Sequence, residues 1–90
     1  MAKKQPKREY MTVYRYKVVI EPAEEGGYCV FVPALNNLAT QGETLEESRE
    51  MAKEAIIGYL EALALDGEQP PIEPTDPTQP IETMVEVSMP

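Results

Sequence analysis

The chain has 90 residues, 16 acidic and 8 basic side chains, a formal net charge of −8 and no histidine. This length allows one domain of modest stability. The acidity disfavours direct binding to nucleic-acid phosphates. The missing histidine removes the commonest general acid/base and the commonest neutral metal ligand. The single cysteine cannot form a disulfide within the chain, and no apolar run approaches the roughly 18 residues of a membrane span, so we expect a cytoplasmic protein.

Residues 1–9 are polar and predominantly basic, and no apolar periodicity runs through them. We predict a disordered basic arm over residues 1–9 and a single domain over residues 10–90. Without the arm's four basic residues, the other residues carry 4 − 16 = −12. An arm that binds nucleic acid is the less favoured alternative, because four charges without an adjoining basic face hold phosphates weakly. The basic residues are Lys3, Lys4, Lys7 and Arg8.

Three strands are predicted in the first half of the domain. Residues 12–21 alternate apolar and polar side chains and stop at Pro22, which cannot donate to a strand ladder. The turn 24–27 and a second alternating run, 28–32, complete a β-hairpin. A third short strand is predicted over 38–41. One face of the first strand carries Tyr14, Tyr16, Val18 and Ile20, and one face of the second carries Tyr28, Val30 and Val32.

An amphipathic helix is predicted over residues 44–66. Thr44 suits the N-cap, Glu47 completes a capping box, and Gly67 suits the position just past the helix end. Gly58, inside the helix, costs about 1 kcal/mol relative to alanine. It either permits close packing against a strand or partner, or is a tolerated imperfection. The predicted buried face carries Leu45, Ser48, Ala52, Ala55, Ile56, Tyr59, Leu60 and Leu63.

Residues 69–80 contain five prolines, which predicts an extended connector to the last strand, 81–89. The connector is long enough for a right-handed crossover, which favours a last strand parallel to an earlier one. The predicted class is therefore α+β with the order β-β-β-α-β. It consists of an antiparallel meander, one crossover helix on one face, and a final strand that pairs back into the sheet.

The first two strands carry apolar residues on both faces, and a single helix can cover only one of them. The other face needs a second copy or a partner chain to cover it, so we expect a homo-oligomer, a dimer or higher. The apolar residues that oppose the faces named above are Val13, Val19, Cys29 and Phe31.

Several short segments follow one another in a fixed order between residues 12 and 87. They are Tyr16–Pro22, Glu24–Tyr28, Val32–Leu35, Thr40–Glu47, Lys53–Ile56, Tyr59–Leu60 and Asp66–Glu68. In this order they resemble the HicB-like antitoxin family. The resemblance implies a partial RNase H-like fold and an antitoxin that binds and neutralises a small basic mRNA-cleaving toxin of the HicA type. Because the sequence stops at Pro90, it also implies a short form without the DNA-binding domain that many members append.

Catalysis is not expected. A nuclease of the RNase H type needs carboxylates that converge on two metal ions roughly 3.5–4 Å apart, whereas Arg15, Tyr16 and Lys17 occupy the centre of the first strand. Cys29 has no histidine partner to activate it. We therefore expect no enzyme activity, cofactor or metal. The alternative to the antitoxin is a solitary homo-oligomeric RNase H-like module that binds another protein or a ligand.

The charge pattern predicts where such a toxin would bind. An RNA-cleaving protein must present a positive surface to phosphates, and an acidic protein competes for that surface. Lasting binding also needs a desolvated apolar centre, because exposed ion pairs contribute only about 0–1 kcal/mol each. We expect the glutamates to be mainly solvated. The predicted partner-binding residues are Glu24, Glu25, Glu43, Glu46, Glu47, Glu50, Ile57 and Leu65.

Overall fold

A computed structural model describes residues 12–73 and 83–89. The predicted basic arm and residues 74–80 of the predicted connector lie outside the described residues. The α+β class and the order of elements are confirmed, except that the first predicted strand is divided in two at Val18. The elements are β1 (Thr12–Lys17), β2 (Val19–Pro22), β3 (Tyr28–Val32), a 3₁₀ turn (Pro33–Leu35), β4 (Leu38–Gly42), α1 (Leu45–Leu65) and β5 (Met84–Met89).

The strands form two antiparallel ladders, which are joined by the continuous chain of β1 and β2. Strands β2, β3 and β4 form a three-stranded meander, and β1 pairs with β5. The last strand returns to the first, as predicted, but it runs antiparallel to β1, so the expected parallel pairing is wrong. A connector of this length can bring the chain back in either direction, and its length therefore does not determine the direction of the last strand.

Helix α1 packs on one face of the strands, against β3, β4 and β5. Its fully buried residues, Ser48, Ala52, Ile56 and Leu60, are spaced four apart and lie on one face. The sequence leaves open which face of the first two predicted strands meets the core, and the structure buries the face of Tyr16 and Val18 in the first and that of Val30 and Val32 in the second. The buried strand and turn residues are Tyr16, Val18, Val30, Val32, Leu35, Val85 and Val87.

Leu45 does not belong to the core, although its spacing places it on the buried face. Its side chain is 56% exposed. It is the first residue of α1, where the helix leaves β4, and it lines an open groove with Val19 and Ile20. The helical period therefore places Leu45 on the correct side of the helix, but its side chain only borders the groove beside β2 and stays largely exposed.

Both predicted ends of α1 are confirmed. The Thr44 side chain accepts a hydrogen bond from the Glu47 N–H at 3.0 Å. The Glu47 carboxylate reaches back to the N–H of Glu43, one residue before the position it takes in a standard capping box. At the other end Gly67 has a φ of +71°, and the Glu68 N–H donates to the Leu63 carbonyl at 2.9 Å, which completes a Schellman motif.

The end of β4 lies directly against the start of α1. A Cβ atom on Gly42 would lie 2.6 Å from the Ser48 backbone nitrogen and 2.7 Å from its Cα. Ser48 is fully buried, and its hydroxyl donates to the Thr44 carbonyl at 2.7 Å. Gly27 adds a second close contact, because its Cβ would lie 2.9 Å from the Gly42 carbonyl oxygen. Strand, helix and hairpin turn therefore meet at a point that leaves no room for side chains.

We expect Gly42→Ala to lower the free energy of unfolding by at least about 1–3 kcal/mol, the usual cost of overpacking a filled site. Gly58→Ala is the matched control, because nothing lies within 4 Å of its added Cβ and alanine is the better helix former. It should raise the free energy of unfolding by about 1 kcal/mol. Urea denaturation measures both, and an unchanged stability of Gly42→Ala would contradict the close contact.

The chain after α1 is held against β1 by Tyr16. The buried Tyr16 hydroxyl donates to the Pro71 carbonyl at 2.7 Å, and two residues further on Glu73 accepts the Lys17 N–H at 3.0 Å. Burial raises the pKa of Tyr16 above its ordinary value, and the nearby Tyr14 and Glu73 side chains raise it further. The phenol therefore stays neutral and keeps donating in alkaline solution.

We expect Tyr16→Phe to lower the free energy of unfolding near pH 7 by about 0.5–1.5 kcal/mol, the net contribution of one hydrogen bond. Since the pKa of Tyr16 is raised by folding, its stabilising effect is present below the ordinary tyrosine pKa of about 10 and is lost as the pH rises through the raised value. The wild type should therefore lose more stability than Tyr16→Phe above about pH 10. Denaturation curves across this range test it, and parallel pH profiles would contradict it.

Candidate partner-binding surface

Four of the predicted glutamates lie together at the start of α1. Glu43 precedes the N-cap, and Glu46, Glu47 and Glu50 occupy the first two turns, all of them exposed. Carboxylates at a helix N-terminus are stabilised by the helix dipole and by its free N–H groups. Glu47 is exposed and also accepts a hydrogen bond from the Glu43 N–H.

The other two acidic residues, Glu24 and Glu25, lie in the turn between β2 and β3 and are exposed. This turn is closed by a hydrogen bond from the Ala23 N–H to the Gly27 carbonyl at 3.0 Å. Gly27 in turn lies against the residues that follow β4, with Glu43 Cα 3.6 Å from the position of its Cβ. The fold therefore brings the turn glutamates to the same end of the molecule as the start of α1.

The charge continues along the outside of the helix. Glu46, Glu50, Glu54 and Glu61 are all exposed, and at 100° per residue they lie opposite the buried face. We call these four residues the acidic ridge. Glu54 and Glu61 were not among the residues predicted from the sequence to bind a partner, although their spacing from Glu50 already places them on its face.

The two apolar residues predicted for the surface are not close to its acidic end. Ile57 is half-buried and packs against the core, whereas Leu65 is 88% exposed. They follow Glu50 by 7 and 15 residues, which correspond to about 10 Å and about 22 Å along the helix axis. The predicted residues therefore form a strip along α1 and the adjoining turn, and they do not line a single pocket.

The carboxylates of the acidic ridge form no salt bridge within the described part of the chain. Over residues 12–73 and 83–89 the one salt bridge joins Arg15 Nη2 to Glu86 Oε2 at 2.7 Å, on neighbouring strands. No group of three or more metal-ligating side chains occurs within these ranges. The ridge can therefore act as an extended negative surface.

No helix in the described part of the chain is long and apolar enough to cross a membrane.

Residues 16–87 match the family model described as the HicB_like antitoxin of bacterial toxin-antitoxin systems. The chain belongs to the HicB-like antitoxin family. The resemblance found in the sequence is confirmed. The matched segment begins inside β1 and ends inside β5, so this HicB-like domain includes the acidic ridge and both strand ladders.

Three curated relatives share part of this domain at 40–47% identity. "Antitoxin HicB 1" of Photorhabdus laumondii is 47% identical over 58 residues, which are 64% of this chain and 37% of the relative. "Antitoxin HicB" of Escherichia coli K12 is 40% identical over 58 residues, 64% of this chain and 42% of the relative. A UPF0150 protein of Thermoplasma acidophilum is 44% identical over 57 residues, 63% of this chain and 83% of the relative. The chain thus spans less than half of the two named antitoxins.

Proposed function

We propose that this HicB-like protein binds and neutralises a small basic RNA-cleaving toxin of the HicA type, and that it has no catalytic activity of its own. The observation that carries the proposal is the acidic ridge, a row of exposed carboxylates without a described salt-bridge partner. Family membership and the two relatives named as HicB antitoxins support it.

The ridge suits this partner because of long-range electrostatics. A ribonuclease must present a positive surface to its substrate, and a negative protein surface is attracted to that region and excludes RNA from it. The same charge repels nucleic acid, so the ridge does not favour direct binding to RNA or DNA. Since exposed ion pairs contribute about 0–1 kcal/mol each, charge accounts for fast association but not for lasting inhibition.

A second contribution comes from the apolar end of the strip. Leu65 is 88% exposed at the end of α1, and burying a leucine side chain contributes about 1.5–3 kcal/mol. In this arrangement the ridge directs the encounter and Leu65 supplies desolvated contact area. Ile57 contributes only its uncovered edge, because the core already holds the rest of its side chain.

We also propose that the protein self-associates. Val19 and Phe31 face each other across β2 and β3 on the face that α1 leaves open, and both remain half-buried there. A chain of this size has a small core, so burying further apolar surface between two copies would stabilise it.

The double variant Glu46→Lys with Glu50→Lys should associate with a HicA-type toxin at least about tenfold more slowly at low salt, because steering raises on-rates by about 10–10³. The dissociation rate should change much less. Glu47 is left in place because it accepts the Glu43 N–H. The control, Glu21→Lys with Glu68→Lys, changes the net charge equally at exposed positions outside the ridge. Stopped-flow association measured across salt concentrations separates the two variants.

Two failures of this experiment have different meanings. A wild-type protein that does not bind the toxin even at low salt contradicts the antitoxin proposal. Tight binding that responds neither to salt nor to the ridge substitutions contradicts only the electrostatic mechanism. Equal slowing of both variants would show that the net charge of the whole chain, and not the ridge, directs the encounter.

The purified protein should cleave neither RNA nor RNA–DNA hybrids, with Mg²⁺ or with Mn²⁺. The reason is chemical, since Arg15 and Lys17 in β1 place positive charge where a two-metal site needs carboxylates. Gel analysis of labelled substrates gives the answer. Cleavage that survives repurification and disappears with a single carboxylate substitution would contradict the non-catalytic proposal.

A further inference from the structure

Strand β1 turns part of its backbone away from β5. The Val18 N–H donates to the Thr83 carbonyl at 3.0 Å, and the register of β1 with β5 continues this pairing in steps of two. In an antiparallel ladder the residues between such pairs point their N–H and C=O groups to the opposite side. Val13, Arg15 and Lys17 therefore present their backbone groups on the edge remote from β5.

The meander does not reach this edge. Beyond Val18 the same side of the chain pairs with β3, in which Val19 faces Phe31. Strand β3 ends at Val32, because Pro33 begins the 3₁₀ turn. The Lys17 N–H is taken by Glu73, whereas Val13 and Arg15 make no backbone hydrogen bond with any described strand. Within residues 12–73 and 83–89, these two residues therefore keep donors and acceptors that no described backbone group takes.

A groove of about 320 Å³ lies along this edge, between β1 and the chain that follows α1. It is flanked by Val13, 54% exposed, and by Ile72, 88% exposed. These are two of the four exposed large hydrophobic residues in the described part of the chain. An edge with unpaired backbone groups and apolar flanks is a template for another strand.

We propose that this edge pairs antiparallel with β1 of a second copy of the chain, about a two-fold axis between the two Tyr14 residues. Val13 of each copy then faces Arg15 of the other, and four N–H···O=C hydrogen bonds form. A register centred on Arg15 needs the Lys17 N–H, which Glu73 already holds, and it places two arginines opposite each other. Among the described residues, the available backbone groups therefore favour the register centred on Tyr14.

Charge also favours a second copy at this edge. Arg15 is paired with Glu86, and Glu73 lies beside Lys17, so the four side chains sum to zero. Two chains of net charge −8 can approach here without strong local repulsion. The acidic ridge, which would repel a second copy, is not part of this edge. The inference rests on the self-association proposed above, and it places the contact between the copies at the β1 edge, beside the open face that carries Val19 and Phe31.

Light scattering on the full chain tests the proposal. The wild type should have a mass of about 20 kDa, twice 10.1 kDa. Val13→Pro removes a donor that the β1–β5 ladder does not use, so it should give a folded monomer. Ser88→Pro is the matched control, since Ser88 faces Val13 in the register and also turns its N–H away from its partner strand. It should remain a dimer.

Amide hydrogen exchange on the wild type provides a readout that needs no variant. The Val13 and Arg15 amides should exchange at least about tenfold more slowly in concentrated samples than in dilute ones, as for amides buried in an interface. The Tyr14 amide, which is bonded to β5, should not respond to concentration. A monomeric wild type overturns self-association and this surface together. A dimer that persists in Val13→Pro, or unprotected Val13 and Arg15 amides in a dimer, overturns the surface alone.

Discussion

The contact between the backbones of Gly42 and Ser48 determines how the rest of the domain is arranged. A distance of 2.6 Å from the Gly42 Cβ position to the Ser48 nitrogen leaves no room for a side chain. The contact fixes where α1 starts on the end of β4, and with it which side of the helix meets the sheet. Because Gly27 packs on the Gly42 carbonyl, the same point also places the acidic turn beside the helix start. The acidic ridge therefore points outward because a glycine at position 42 allows α1 to start so close to β4.

The acidic residues at the start of α1 are exposed, and they lie where negative charge stabilises the helix. Carboxylates repel one another, yet Glu46 and Glu47 lie where the helix dipole and free N–H groups favour negative charge. The Glu47 carboxylate accepts a hydrogen bond from the Glu43 N–H just before the helix, and the Thr44 side chain caps the first turn. Further along, Lys53 lies three residues after Glu50, a spacing that moderates repulsion on the helix surface. The start of α1 can therefore carry a dense negative charge without losing its helical structure.

Local patterns in the sequence predict the features that depend on one element at a time. The alternation in β1 places Tyr14 and Tyr16 on one face, and the signals at Thr44 and Gly67 mark the helix ends correctly. The direction of β5 is not predictable in this way, because a period of two assigns a face but not a partner strand. The exposure of Leu45, and the lack of a described strand on the outer side of Val13, also depend on where distant segments end. The position of the acidic turn beside Glu43 depends on glycines that meet across the fold.

The two proposed surfaces rely on different interactions, which allows the chain to use both at once. Recognition by the acidic ridge depends on long-range charge, which salt screens over about 8–10 Å at moderate ionic strength. Pairing at the β1 edge depends on short backbone hydrogen bonds and on apolar side chains, and salt weakens neither of them in this way. A rise in salt should therefore release the basic partner before it separates the two copies. A dimer joined through β1 would carry two ridges, so two basic partners could bind to one assembly.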